Sequence, residues 1–159
     1  MHSTTELETT KVQNIPEIKD GIYYSSAYSL KIPDGWSLIY SDLLIEMHPP
    51  NSKSAVIMTQ AGQNCGNFDN IKYEDIKKDF GKKWRNIKKE FYGKCVLGSN
   101  EYLITKISYT FFNECKYLTY AILHVGDLDI TFTFLRNEDF DGDDQFKEIL
   151  ESVNLNSQK

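Results

Sequence analysis

The chain is short of the residues that build most recognisable functional signatures. Of 159 residues, only three are cysteine, four proline and three histidine. Cys65, Cys95 and Cys115 show no C-x-x-C spacing, which leaves out a zinc ribbon and a thioredoxin-type redox motif. They read as buried or half-buried thiols, with one disulfide plus one free thiol as the alternative. Of 18 basic residues, all but Arg85 and Arg136 are lysine, so forked, bidentate recognition of phosphate or carboxylate has little to work with. No apolar run approaches the ~18 residues of a membrane-spanning helix. No G-x-S-x-G, H-E-x-x-H, Walker or dinucleotide-binding glycine pattern occurs. The glycine-bracketed stretch from Gly62 to Gly66 has no lysine and reads as a connection. A net charge of −5 argues against a dedicated nucleic-acid binder, whose phosphate contacts need a basic surface.

What the chain does have is bulk and pattern. A chain of this length can bury roughly two-thirds of its unfolded surface and fold without a staple. Aromatics make up 13%, with ten Tyr and nine Phe, and suit half-buried strand faces. Residues 1–20 are polar and aperiodic and predict a flexible leader; residues 21–159 predict one domain. The leader has no apolar h-region. It fits either a cytoplasmic start or the tether of an exported lipoprotein whose signal has been removed.

Strands are expected over Tyr23–Ile32, Trp36–Tyr40, Leu43–Met47 and Ser54–Gln60, with a turn at Pro33-Asp34-Gly35 and a loop over Ala61–Asn70. Tyr73, Ile76, Phe80, Trp84 and Ile87 recur at three and four, which predicts a helix over Ile71–Lys89 with Asn70 as its N-cap. Phe91–Leu97, Tyr102–Phe111, Tyr117–Val125 and Leu128–Leu135 then read as strands, with hairpin turns at Gly98-Ser99-Asn100, Asn113 and Gly126-Asp127. Leu128, Ile130, Phe132 and Phe134 alternate with Asp129, Thr131 and Thr133, the period of a half-buried antiparallel strand. A closing helix is expected over Asp143–Val153. The order predicts an α+β fold: an antiparallel β-sheet with amphipathic helices packed on its faces.

The segment Tyr28-Ser29-Leu30-Lys31-Ile32-Pro33-Asp34-Gly35-Trp36 and the closing Phe146-Lys147-Glu148-Ile149-Leu150-Glu151-Ser152-Val153 resemble the opening strand and the last helix of the PsbP-like superfamily. The resemblance runs from about Tyr23 to Leu155. It implies the same α+β architecture and a non-enzymatic protein that binds other proteins. It transfers no particular partner and no site residue.

Four local patterns bear on chemistry. Asn137, Asp139, Asp141, Asp143 and Glu148, with Gly142 between, nearly match the oxygen-ligand spacing of an EF-hand loop. Against calcium stand the leading Asn, Asp144 where an apolar residue is usual, and a strand rather than a helix before the loop; the competing reading is an acidic helix start capped by Asp141, Asp143 or Asp144. From Lys72 to Lys94 there are nine basic and four acidic side chains, and from Gly126 to Glu151 nine acidic and two basic. Lys78, Lys82 and Lys89 therefore become candidates for docking an acidic protein or an anionic surface, against the plainer reading of a solvated helix face. His124 shares strand parity with Tyr120 and Ile122 and reads as a half-buried structural histidine; His48, beside two prolines, reads as exposed. Tyr23, Tyr24, Tyr28, Trp36 and Tyr40 line either an aromatic groove or, more simply, the core.

The sequence thus predicts a monomeric, non-enzymatic protein-binding module without cofactor, of a bacterial cell-surface lipoprotein or a secretion-associated adaptor, meeting a membrane only through a lipid tether and binding no nucleic acid. A small-ligand carrier with a pocket between helix and sheet is one alternative. An unrecognised small hydrolase or isomerase is another.

Overall fold

The structure, a computed structural model, describes residues 17–41, 44–50, 52–63 and 66–155. Among the described residues, eleven strands form two antiparallel sheets. The small sheet joins β1 (Glu17–Lys19), β2 (Ile22–Tyr24), β3 (Tyr28–Lys31) and β11 (Asn154–Leu155). The large sheet holds β4 (Ser37–Ser41), β5 (Leu44–His48), β6 (Ala55–Gln63), β7 (Arg85–Leu97), β8 (Asn100–Phe111), β9 (Glu114–Val125) and β10 (Leu128–Asn137), in the order β4-β5-β6-β10-β9-β8-β7. Between β6 and β7 lie a 3₁₀ turn at Phe68–Asn70 and a short helix, α1 (Tyr73–Lys77). Helix α2 (Asp143–Ser152) precedes β11. The α+β expectation holds, as do the three hairpins of β7 to β10. The first strand begins at Glu17 and so falls inside the stretch expected to be leader; residues 1–16 lie outside the described ones.

The alternating side chains of the large sheet divide cleanly between two faces. On the inner face, Tyr102, Ile104, Ala121, Leu123, Ile130, Phe132, Phe134, Ile57 and Met47 meet Tyr28 and Leu30 of the small sheet and Phe146, Ile149 and Leu150 of α2 in one core. Tyr23, Tyr28 and Trp36 are buried there and Tyr40 packs against it, while Tyr24 is exposed. The early aromatics are therefore core, not a groove. Phe132 stands at the centre, edge-on to Tyr28 at 6.2 Å and to Tyr102 at 6.0 Å. On the outer face, Leu103, Ile107, Tyr109, Leu118 and Ile122 are covered by Phe68, Ile76, Phe80, Trp84 and Ile87.

That cover corrects the long helix expected over Ile71–Lys89. Only Tyr73–Lys77 is helical, and Asn70 is not its cap: Lys72 is, with its N–H donating to the Asp75 carboxylate at 2.9 Å. The apolar positions were read correctly and all face the sheet, but the backbone differs. At Gly81 the chain folds so tightly that the Trp84 indole occupies the space a side chain would need. Trp84 then stacks on Tyr109 with centroids 3.9 Å apart. From Arg85 onward the chain is strand, and register shifts between Arg85 and Lys88 and between Lys89 and Phe91 break its alternation. The first bulge adds a residue, so Trp84 and Ile87 keep a helix-like spacing without a helix; Phe91, past the second irregularity, opens the half expected to be strand.

The expected strand Tyr23–Ile32 is also two strands. Ser25 turns the chain between them: its N–H donates to the Tyr28 carbonyl at 2.8 Å, and its hydroxyl donates to the same oxygen at 3.0 Å. At the Pro33 turn, the Trp36 N–H donates to the Pro33 carbonyl at 3.1 Å.

The C-terminal end of α2 is tied to the β7–β8 hairpin. Asn100 donates its side-chain amide to the Val153 carbonyl at 2.9 Å, and the buried Tyr102 hydroxyl donates to the Leu150 carbonyl. These bonds satisfy carbonyls that a helix end leaves without partners. The Ser152 hydroxyl donates to the Ile149 carbonyl at 2.7 Å and accepts the Lys31 N–H at 2.9 Å, which ties the same end to the small sheet.

Burial raises the phenol pKa of Tyr28 and Tyr102 well above the usual value and pushes Tyr109 up to about 12. A raised folded-state pKa means that the unfolded chain loses its phenolic protons first. This contribution to stability is whole below pH ~10, the unfolded value, and is lost as the pH rises towards the folded values. Thermal melts should therefore show a midpoint level from neutral to about pH 9.5 and then falling steeply. A midpoint unchanged up to pH ~12 would contradict buried phenols.

Candidate functional site

The sequence-predicted docking lysines do not share one helix face. Lys78 follows α1 and pairs loosely with Asp75 at 3.8 Å. Lys82 sits in the turn before Trp84. Lys89 lies on β7, its ammonium 4.9 Å from the centre of the Tyr73 ring. What the structure brings together instead is a basic strand. β7 is the last strand of the large sheet and carries Arg85, Lys88, Lys89 and Lys94 against a single acid, Glu90. Its second half, Phe91–Leu97, pairs with Lys106–Asn100 without a break. Two of its apolar side chains, Phe91 (43%) and Val96 (66%), are exposed to solvent. The helical reading of Ile71–Lys89 hid the first half of this strand; its second half is the strand expected over Phe91–Leu97, and extending that run backwards is the signal that could have found the rest.

At the acidic loop, two of the five oxygen ligands of the calcium pattern are engaged by other side chains. Asn137 ends β10 and accepts a hydrogen bond from the Lys116 ammonium. Asp143 opens α2, where the Arg136 guanidinium donates to it at 3.1 Å. Arg136 also donates to the Phe140 carbonyl at 3.0 Å and lies over the Tyr117 ring at 4.3 Å. Two oxygens the pattern would give to a cation are thus held by cationic side chains. Among the described residues no group of three or more His, Cys, Asp or Glu side chains comes together as metal ligands. Gly142 is the N-cap of α2 and makes no side-chain bond there, so none of the three aspartates expected to cap does so.

His124 is opposite Asp129 across β9 and β10, and its Nδ1 pairs with that buried carboxylate. Phe68 stacks on the imidazole with centroids 4.0 Å apart. The pair sits beside an open depression of about 700 Å³ that includes Lys94, Asp69 and Glu101. Lys94 donates to Asp69 at 3.0 Å, and the neighbouring carboxylate raises its pKa. Cys95 and Cys115 are free, half-buried thiols; Cys65 lies outside the described residues. Cys95 packs against the inner core and His124 stacks on the outer face, so the structure does not bring that thiol to the imidazole. His48 is partly covered rather than exposed and meets Glu46 at 3.0 Å.

A second concavity lies between α2 and the β7–β8 flank. The small sheet and α2 cover the inner face over the middle of the large sheet, and beyond α2 a groove of about 580 Å³ remains. Cys95, Leu97, Ile104, Phe146 and Leu150 supply its apolar surface, with Phe91 at its margin.

No protein-family model matches the sequence, and no curated protein does. Solved structures do resemble it. A protein of Bacteroides thetaiotaomicron superposes with a TM-score of 0.60 at 10% identity over 90% of this chain; this chain spans only 48% of that one. The cyanobacterial PsbP of Synechocystis sp. PCC 6803 gives 0.58 at 11% identity, covering 89% of this chain and 90% of its own. LpqN, involved in cell envelope biogenesis of Mycobacterium tuberculosis, gives 0.58 at 13% identity, covering 89% of both chains. At these identities the likeness speaks for the backbone alone, and it agrees with the strand and helix order derived above: the chain has a PsbP-like α+β fold.

Proposed function

We propose that this chain is a non-enzymatic protein-binding module that recruits an acidic, extended segment of a partner as an added strand along β7. The observation that carries the reading is the edge itself. β7 runs thirteen residues at the end of the large sheet, and its unbroken half bears exposed Phe91 and Val96. An edge strand offers a row of N–H and C=O groups to another chain. Lysines on such an edge repel a second copy of the same edge and favour an acidic strand. The bulges before Phe91 twist the first half out of line, so the docking segment is Phe91–Leu97. A place at the bacterial cell envelope, through a lipid tether, belongs to this reading and draws support from the likeness to LpqN.

The test is amide NMR with a peptide of alternating Glu and Val. Shifts confined to Glu90–Leu97 and the facing residues of β8 are expected. They should weaken several-fold in the Lys89→Glu, Lys94→Glu double variant and on raising the salt, which screens exposed charges beyond about 10 Å. Shifts spread over β4 or α2 instead, or none at all, would sink the proposal.

A further inference from the structure

The groove beside α2 has a direction. Helix α2 starts at Asp143 and ends against the β7–β8 hairpin, where Val153 meets Asn100. The hairpin end of the groove is therefore apolar, formed by Cys95, Leu97, Ile104 and Leu150. The other end, at the start of α2, carries Glu90, Lys106, Asp144 and Lys147. Asp143 also reaches it but is held by Arg136. Two ammonium groups and two carboxylates thus share the mouth of an apolar trough. From Phe91 to Leu97 the trough follows six residue steps of strand, about 20 Å, room for an extended alkyl chain of about twelve carbons. Its volume of about 580 Å³ lies within the range of small-molecule sites, about 300–1,000 Å³. A double-chained lipid would exceed it, and a wholly apolar ligand would leave the four charges at the mouth without a counterpart.

From these features we infer that the groove binds a single-chain amphiphile with a zwitterionic head. The alkyl chain lies along Cys95, Leu97, Ile104 and Leu150. The anionic part of the head meets Lys106 and Lys147, and its cationic part meets Glu90 and Asp144. The groove shares the side chains of Phe91, Cys95 and Leu97 with the strand-docking segment, but an amphiphile lying in it uses none of the N–H and C=O groups along the outer edge of that strand.

The experiment is isothermal titration of the full chain with dodecylphosphocholine below its micelle concentration, beside dodecanoate and dodecyltrimethylammonium. One saturable site is expected, with the zwitterion bound at least fivefold tighter than either singly charged amphiphile. Leu97→Trp fills the apolar end and should weaken binding at least tenfold with the melting temperature retained. If that variant does not fold, Cys95→Phe serves the same purpose. Lys106→Glu with Lys147→Glu should shift the preference to dodecyltrimethylammonium. The absence of a saturable site would overturn the inference, as would equal affinity for all three amphiphiles or binding indifferent to the filling variants. The Glu–Val peptide reads the β7 edge separately, so either proposal can fail alone.

Discussion

Phe132→Ala should lower the free energy of unfolding by about 3–5 kcal/mol, the cost of emptying a large, fully enclosed aromatic site. Phe132 is wholly buried on β10, with β6 on one side and β9 on the other. Its ring lies between Tyr28 of the small sheet and Tyr102 of the large one, so its loss opens a void where the two layers meet. Neither tyrosine can collapse into that void freely. Tyr28 is held at 2.8 Å to the Thr59 hydroxyl and Tyr102 by its bond to the Leu150 carbonyl. Since domains of this kind have about 5–15 kcal/mol in total, the variant should unfold at a much lower urea midpoint with the slope unchanged. Phe112→Ala is the control. That ring is 74% exposed in the β8–β9 turn, and its removal should stay within about 0.5 kcal/mol. Equal losses for the two would mean that the layers do not meet as described.

Gly98→Ala is the second large effect expected, about 2–4 kcal/mol. Gly98 has φ +63°, and a methyl group on it would overlap the Glu151 carbonyl oxygen. The left-handed backbone costs an alanine about 1–2 kcal/mol by itself. To relieve the overlap, the end of α2 must withdraw, which loosens the Asn100–Val153 and Tyr102–Leu150 hydrogen bonds at about 1 kcal/mol each. Gly126→Ala separates the two causes. Its φ is +59°, but nothing lies within 4 Å of the added methyl, so only the backbone cost should appear. Thermal melts compare the variants, and hydrogen exchange at the last turn of α2 should quicken in Gly98→Ala alone.

Both expectations rest on parts of the fold that were legible to different degrees. Phe132 was readable as core because β10 alternates without interruption. The closing helix was readable because Phe146, Ile149 and Leu150 fall on one stripe. The clamp at Gly98 was not, because the turn and the helix it touches are some fifty residues apart and nothing local marks their approach. The small sheet was missed for a related reason: Ser25 makes its turn with a hydroxyl rather than with glycine or proline. Of the basic edge strand, the half from Phe91 to Leu97 was readable, but Arg85–Glu90 was not, because Trp84 and Ile87 continue a helical rhythm into it across a bulge. The groove is made of Leu97, Ile104 and Leu150, which three separate elements bring together; each alone reads as ordinary core.

The position of β10 in the large sheet has a bearing on how the protein is made. Strands β4, β5 and β6 form one meander and β7, β8 and β9 another, and β10 alone bridges them. During synthesis, a nascent chain that has emerged only as far as Asp127 holds two separate three-stranded pieces, each showing an open flank where β10 will lie. The residues that close both flanks leave the ribosome only after both meanders have emerged. Helix α2 and β11 follow them, so stopping translation before Leu128 should leave a species with two strand edges, β6 and β9, exposed beyond those of the finished sheet, and a strong tendency to be captured by chaperones or to aggregate.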